Sequence, residues 1–181
     1  MAAPMSPTVK EEVPRMVDTA IVDTRRNHAL EHATVALLLQ KGVMPPMGGY
    51  SVPSGFLVWS RAPAEEISAV ASEALDLLSD GHHDLAISPY CGTNIAAGAF
   101  IGGLTASLLK RRARGFLPNL AAAAAAIAVA SVVSRPLGNL LQRRFTTLVP
   151  TRREEMQIVS WRQLIEWPVN VVWIRTRVRE T

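Results

Sequence analysis

The chain has 181 residues, 49% of them apolar, and a net charge of +4 at pH 7. That length accommodates one domain with a sizeable core and leaves room for a membrane or linker segment. A single cysteine, Cys91, excludes an intramolecular disulfide, and the scarcity of aromatics among the basic residues argues against nucleic acid as a partner.

The net charge hides a division. Residues 1–94 carry 6 Lys/Arg against 11 Asp/Glu, residues 95–181 carry 13 against 4, and no acid lies between Asp84 and Glu154. Apolar, acid-free stretches punctuated by arginines are the pattern of membrane segments.

Residues 1–22, with several prolines, mixed charge and no periodicity, predict a flexible N-terminal arm. They lack the basic and apolar regions of a secretory signal peptide. Residues 23–94 read α-β-α-β. Asp23 or Thr24 can cap a helix from about Arg25 to Gln40, stopped by Gly42, Pro45-Pro46 and Gly48-Gly49. Tyr50 to Ser60 predicts a strand. Ala62-Pro63 opens a second helix whose stripe is Ile67, Val70, Ala71, Ala74, Leu77 and Leu78, ended by Asp80-Gly81. His82-His83-Asp84 forms a polar turn and Leu85-Ala86-Ile87 a short strand.

Residues 95–134 predict a two-helix transmembrane hairpin. Ile95 to Leu109 and Leu120 to Val133 are uncharged, with Lys110-Arg111-Arg112-Ala113-Arg114 between them. Gly98, Gly102 and Ala106, and Ala122, Ala126 and Ala130, make small-residue ridges that let two membrane helices approach closely, or self-associate. Residues 135–181 open with an amphipathic basic stretch to Arg144, suited to a membrane surface. Two strands follow, Met156 to Trp161 and Val171 to Val178, turning at Trp167-Pro168 and completing the sheet. The expected architecture is therefore α+β: a small mixed sheet with two helices, plus an inserted two-helix transmembrane hairpin, making a two-pass protein of the cell membrane. Arginines at both ends of the hairpin leave its orientation open.

The chemistry concentrates in Asn27-His28-Ala29-Leu30-Glu31-His32-Ala33-Thr34. Its H-x-x-E-H spacing puts His28 and His32 one above the other on a helix face, with Glu31 beside them. Zinc in a catalytic site takes three protein ligands and keeps a fourth position open. Cys91 is the first choice for the third ligand, His82 or His83 the second, and Glu73 the third. Glu31 would then be the general base of a hydrolase, plausibly a peptidase. Asn27, Thr93 and Asn94 are candidates for orienting the ligands or stabilising an oxyanion. The bland alternative is that both histidines are satisfied core residues and Cys91 a small buried one.

The ordered motifs Asn27–Thr34, Cys91-Gly92-Thr93-Asn94 and Arg135-Pro136-Leu137-Gly138 resemble a family of small bacterial membrane proteins catalogued as a domain of unknown function. The resemblance covers roughly residues 24 to 178. It implies a membrane location with an apolar hairpin after the C-G-T-N motif, and no established activity. The inverted zinc peptidases share only His28, Glu31 and His32. The downstream glutamate ligand of that family has little room here, because 85–153 holds no acid. The functional expectation is a membrane-bound zinc-dependent hydrolase. The alternative is a non-enzymatic assembly factor or accessory subunit, partnered by another membrane protein, whose motifs are structural or bind a structural metal.

Overall fold

The structure, a computed structural model, describes residues 9–111, 115–150 and 155–179. The chain divides into two compact units, residues 1–86 with 148–181, and residues 87–147.

The first unit contains α1 (Val9–Gln40), β1 (Gly48–Val52), β2 (Gly55–Ser60), α2 (Ala64–Ser79), a 3-10 turn (His83–Ala86), β3 (Met156–Ile165) and β4 (Asn170–Val178). The four strands form one sheet in the order β1-β2-β4-β3, every neighbouring pair antiparallel. The sheet is therefore antiparallel rather than mixed. Its core is Leu30, Ala33, Leu37 and Leu38 of α1, Ile67, Val70, Ala71, Ala74 and Leu78 of α2, and Phe56, Val58, Val172 and Ile174 of the central strands. These are the apolar positions at helical spacing on the helices and at period two on the strands, so each element buries one face.

Four local readings are corrected. Residues 9–22 are helical, continuous with the expected helix, rather than a flexible arm; residues 1–8 of that arm lie outside the described residues. Neither Asp23 nor Thr24 starts a helix. The Thr24 hydroxyl instead donates to the Ala20 carbonyl at 2.8 Å, one turn back, as a mid-helix threonine does. The expected single strand over Tyr50–Ser60 is two strands, because Pro53-Ser54 turns the chain and Gly55, at φ 150°, packs against the Ile174 carbonyl of β4 where a Cβ would collide. Leu85-Ala86 belongs to the 3-10 turn rather than to a strand.

The second unit is an antiparallel pair, α3 (Gly92–Lys110) and α4 (Phe116–Leu141), followed by a π-helical turn (Gln142–Thr146). The stretch from Arg135 is thus a continuation of α4 through Pro136, not a separate surface helix. Of the basic loop, residues 112–114 lie outside the described residues. Both helices are long and apolar enough to cross a membrane. α3 has 19 residues, about 28 Å at helical rise, against a hydrocarbon core of about 30 Å. The small-residue ridges meet: a Cβ on Gly98 would lie 3.1 Å from that of Ser134, and one on Gly102 3.3 Å from that of Ala130. Ile95, Phe100, Phe116, Ile127 and Val132 stand exposed on the outside of the pair.

A buried amide network closes the base of this hairpin. Asn94 Nδ2 donates to the carbonyls of Ser88 (3.1 Å) and Pro89 (2.9 Å). Gln142 Nε2 donates to the Ser88 carbonyl (3.0 Å) and to Asn94 Oδ1 (3.0 Å), and its Oε1 accepts from the Ser88 N–H (2.9 Å). Gly138 lets Asn94 in, since a Cβ there would overlap the Asn94 amide. Two motifs that look unrelated in sequence, C-G-T-N and R-P-L-G, are thus two halves of one contact.

Substituting Gly138→Ala will push Asn94 off its partners and strand buried amide groups, costing about 2–4 kcal/mol. Thermal unfolding in mild detergent checks this, with Gly103→Ala, an exposed helical glycine with open space around it, as the control that leaves Tm unchanged or raised.

Candidate metal centre

Asn27–Thr34 lies in the buried part of α1, and each of its polar side chains has to find a partner inside the fold. Asn27, fully buried, donates through Nδ2 to the carbonyls of Val52 (2.8 Å) and Pro53 (3.0 Å) and accepts the Thr176 hydroxyl at Oδ1 (2.6 Å). It thereby ties the β1–β2 turn and β4 to the helix. Thr34 donates to the Leu30 carbonyl at 2.7 Å.

His28 and His32 share a face, as the spacing predicts, with ring centroids 4.2 Å apart and planes inclined by 59°. His32 is buried, and its Nδ1 is 2.8 Å from the Ala86 carbonyl on the 3-10 turn. A carbonyl only accepts, so Nδ1 carries a proton, and the nitrogen left to bind a metal is Nε2. An imidazole held through its other nitrogen by a backbone carbonyl is the usual support of a metal-ligating histidine. Glu31 is also buried. Its Oε2 accepts the Ser51 hydroxyl of β1 at 2.7 Å, and its side chain lies against Gly49, where a Cβ would overlap it. The sequence reading missed Ser51 and the Ala86 carbonyl. The only trace of Glu31's seat was the Gly48-Gly49 pair, taken as a helix stop.

In the second unit Cys91 is buried and caps α3. Its sulfur accepts the Thr93 N–H at 3.4 Å and lies 3.3 Å from Thr93 Oγ1. Thr93 thus orients the sulfur from within the same turn. Asn94 has a different occupation from the one expected. Both protons of its amide go to Ser88 and Pro89, so its task is closing the hairpin base rather than stabilising an oxyanion. Asn27 is likewise spent on the sheet.

The alternative third ligands fall away. His82 and His83 are exposed on their turn, and Glu73 pairs with Lys41 at 3.0 Å on the outside of α2. His28 and His32 offer two imidazoles on one face of α1 in the first unit, and Cys91 offers a thiol at the start of α3 in the second. Two imidazole nitrogens and a thiolate are a donor set that suits zinc and other borderline or soft divalent ions, and three protein ligands leave one position of a tetrahedral site for another molecule.

Comparison with known proteins points the same way as the motifs. An uncharacterized protein of Picosynechococcus sp. is 30% identical over 136 residues, covering 70% of this chain. The chain spans 66% of that relative's own length. No solved structure matches. Residues 23–159, which contain α2 and α3 and the three motifs, match a family model, and on that match the chain belongs to the family described as Domain of unknown function (DUF6391).

Proposed function

We propose that the chain is a two-pass membrane protein that binds zinc through His28, His32 and Cys91. The observation that carries the metal reading is the fixed tautomer of His32, whose Nδ1–H is held by the Ala86 carbonyl while its Nε2 stays available beside the second imidazole. A structural core histidine needs a hydrogen bond at one nitrogen or both. Two imidazoles on one helix face are a ready pair of nitrogen ligands, and Cys91, the one thiol of the chain, is the proposed third. The membrane reading rests on α3 and α4, whose apolar side chains stand outward instead of being covered, as the core helices of a water-soluble fold would be.

The finer reading is a metallohydrolase. Zinc, when bound, would supply the Lewis acidity that makes water nucleophilic near neutral pH. Glu31 follows His28 by three residues and precedes His32, and Ser51 and Gly49 hold its carboxylate in one place. A carboxylate held in one place, and adjacent in sequence to a candidate ligand, is suited to take a proton from water as general base. In the non-enzymatic alternative the same ligands hold a structural ion and Glu31 only anchors β1 to α1.

Elemental analysis of the purified full chain will give about one zinc per chain for wild type, and a loss of at least tenfold in affinity for His32→Ala and for Cys91→Ser. His82→Ala, which alters an exposed histidine, will retain full zinc; equal zinc in all four proteins would refute the ligand set. Membranes washed with alkaline carbonate will keep the chain in the pellet, and release into the supernatant would refute the spanning hairpin. If zinc is bound, Glu31→Gln will leave the metal content intact, and in a hydrolase it will lower turnover of a cleaved peptide library by about 100-fold or more.

A further inference from the structure

The sheet of the first unit has two faces, and the two helices take only one of them. Phe56 and Val58 of β2 and Val172 and Ile174 of β4 are fully buried, and Thr176 and Ser51 on the same face bond to Asn27 and Glu31 of α1. The strand register puts the alternate residues together on the other face. From β1 comes Tyr50, from β2 Leu57 and Trp59, from β4 Val171, Trp173, Arg175 and Arg177, and from β3 Arg162 and Ile165.

An antiparallel sheet with one solvated face normally carries polar residues there. This face has Gln157 and Ser160 of β3 at its edge, but large apolar side chains run across its middle. Tyr50 is 64% exposed and Ile165 51%, and Leu57, Trp59, Val171 and Trp173 are half-buried among themselves. Gly48 belongs to the same face, where the Trp59 ring fills the space a Cβ would need. The charged residues on this face are three arginines, all exposed, with no acid among the paired positions. Beyond the paired strands, Trp167 at the β3–β4 turn is 83% exposed.

We propose that this open sheet face docks on an anionic lipid surface. The occupant follows from charge and side-chain type. Tryptophan and tyrosine prefer the boundary between hydrocarbon and water, where a flat ring is half apolar and its N–H or O–H stays wet. Guanidinium groups beside them pair with lipid phosphates and are attracted by an anionic leaflet. A protein partner would need acidic side chains to answer the arginines. A bilayer supplies both the phosphates and the apolar layer beneath them, and is at hand if the membrane location proposed above holds, on which this inference rests.

The test reconstitutes the full chain into vesicles of brominated phosphatidylcholine, with and without phosphatidylglycerol. Trp173 is kept as sole reporter through Trp59→Phe, Trp161→Phe and Trp167→Phe. Brominated acyl chains will quench Trp173, more strongly with phosphatidylglycerol at low salt. Each of Arg162→Gln, Arg175→Gln and Arg177→Gln will weaken the salt-sensitive part by about fivefold. Should the triple Phe chain not fold, the same quantity is read as the difference between wild type and Trp173→Phe. Quenching of Trp173 by aqueous iodide but not by brominated lipid would overturn the proposal. So would protection from both quenchers together with cross-linked dimers, which would assign the face to a second copy. Loss of the chain from carbonate-washed vesicles would refute the spanning hairpin alone, since lipid quenching still reports whether the face docks.

Discussion

A buried helix that carries polar side chains has to satisfy every one of them within the fold, and α1 does this within a single stretch. Asn27, Glu31, His32 and Thr34 are all buried. Left without partners, each would cost about 1–3 kcal/mol or more. Their partners are spread over the unit: Val52, Pro53 and Thr176 for Asn27, Ser51 for Glu31, Ala86 for His32. The polar residues of the motif therefore set the positions of β1, of the β1–β2 turn, of β4 and of the 3-10 turn relative to the helix. That constraint is also what prepares the site. The hydrogen bond that satisfies His32 fixes its tautomer, and the one that satisfies Glu31 fixes its carboxylate.

The second unit solves the same problem with amides. Asn94, Gln142 and the Ser88 backbone close on one another at the base of an otherwise apolar hairpin, and Gly138 provides the space. A buried amide network of this kind is costly unless complete. It locks the register in which Gly98 meets Ser134 and Gly102 meets Ala130. The small residues set how closely the helices approach, and the amides set which residues face each other.

Much of this was legible in the sequence because it follows from periodicity. The stripe of α2, the alternation of β4, the uncharged lengths of α3 and α4 and the shared face of His28 and His32 are all consequences of fixed repeat distances. What was not legible depends on partners far along the chain. Asn94 and Asn27 were read as supports for catalysis because an amide beside a candidate ligand suits that role. Their partners, Gln142 and Thr176, lie 48 and 149 residues away. The Tyr50–Ser60 strand hid a turn because Pro53-Ser54 lacks the Asn-Gly or Asp-Gly signature of a tight hairpin. The helical character of residues 9–22 was hidden by the prolines, mixed charge and lack of apolar periodicity in that stretch.

The proposal that two imidazoles of α1 and the sulfur of Cys91 hold one metal ion is tested most directly with cobalt(II), which reads all three ligands at once. Added to the metal-stripped full chain, cobalt should give intense visible bands of a four-coordinate ion and a near-ultraviolet thiolate-to-cobalt charge-transfer band. Cys91→Ser should abolish the charge-transfer band, and His32→Ala should weaken or remove the visible ones. A charge-transfer band that survives in Cys91→Ser, or weak six-coordinate spectra in the wild type, would contradict the account.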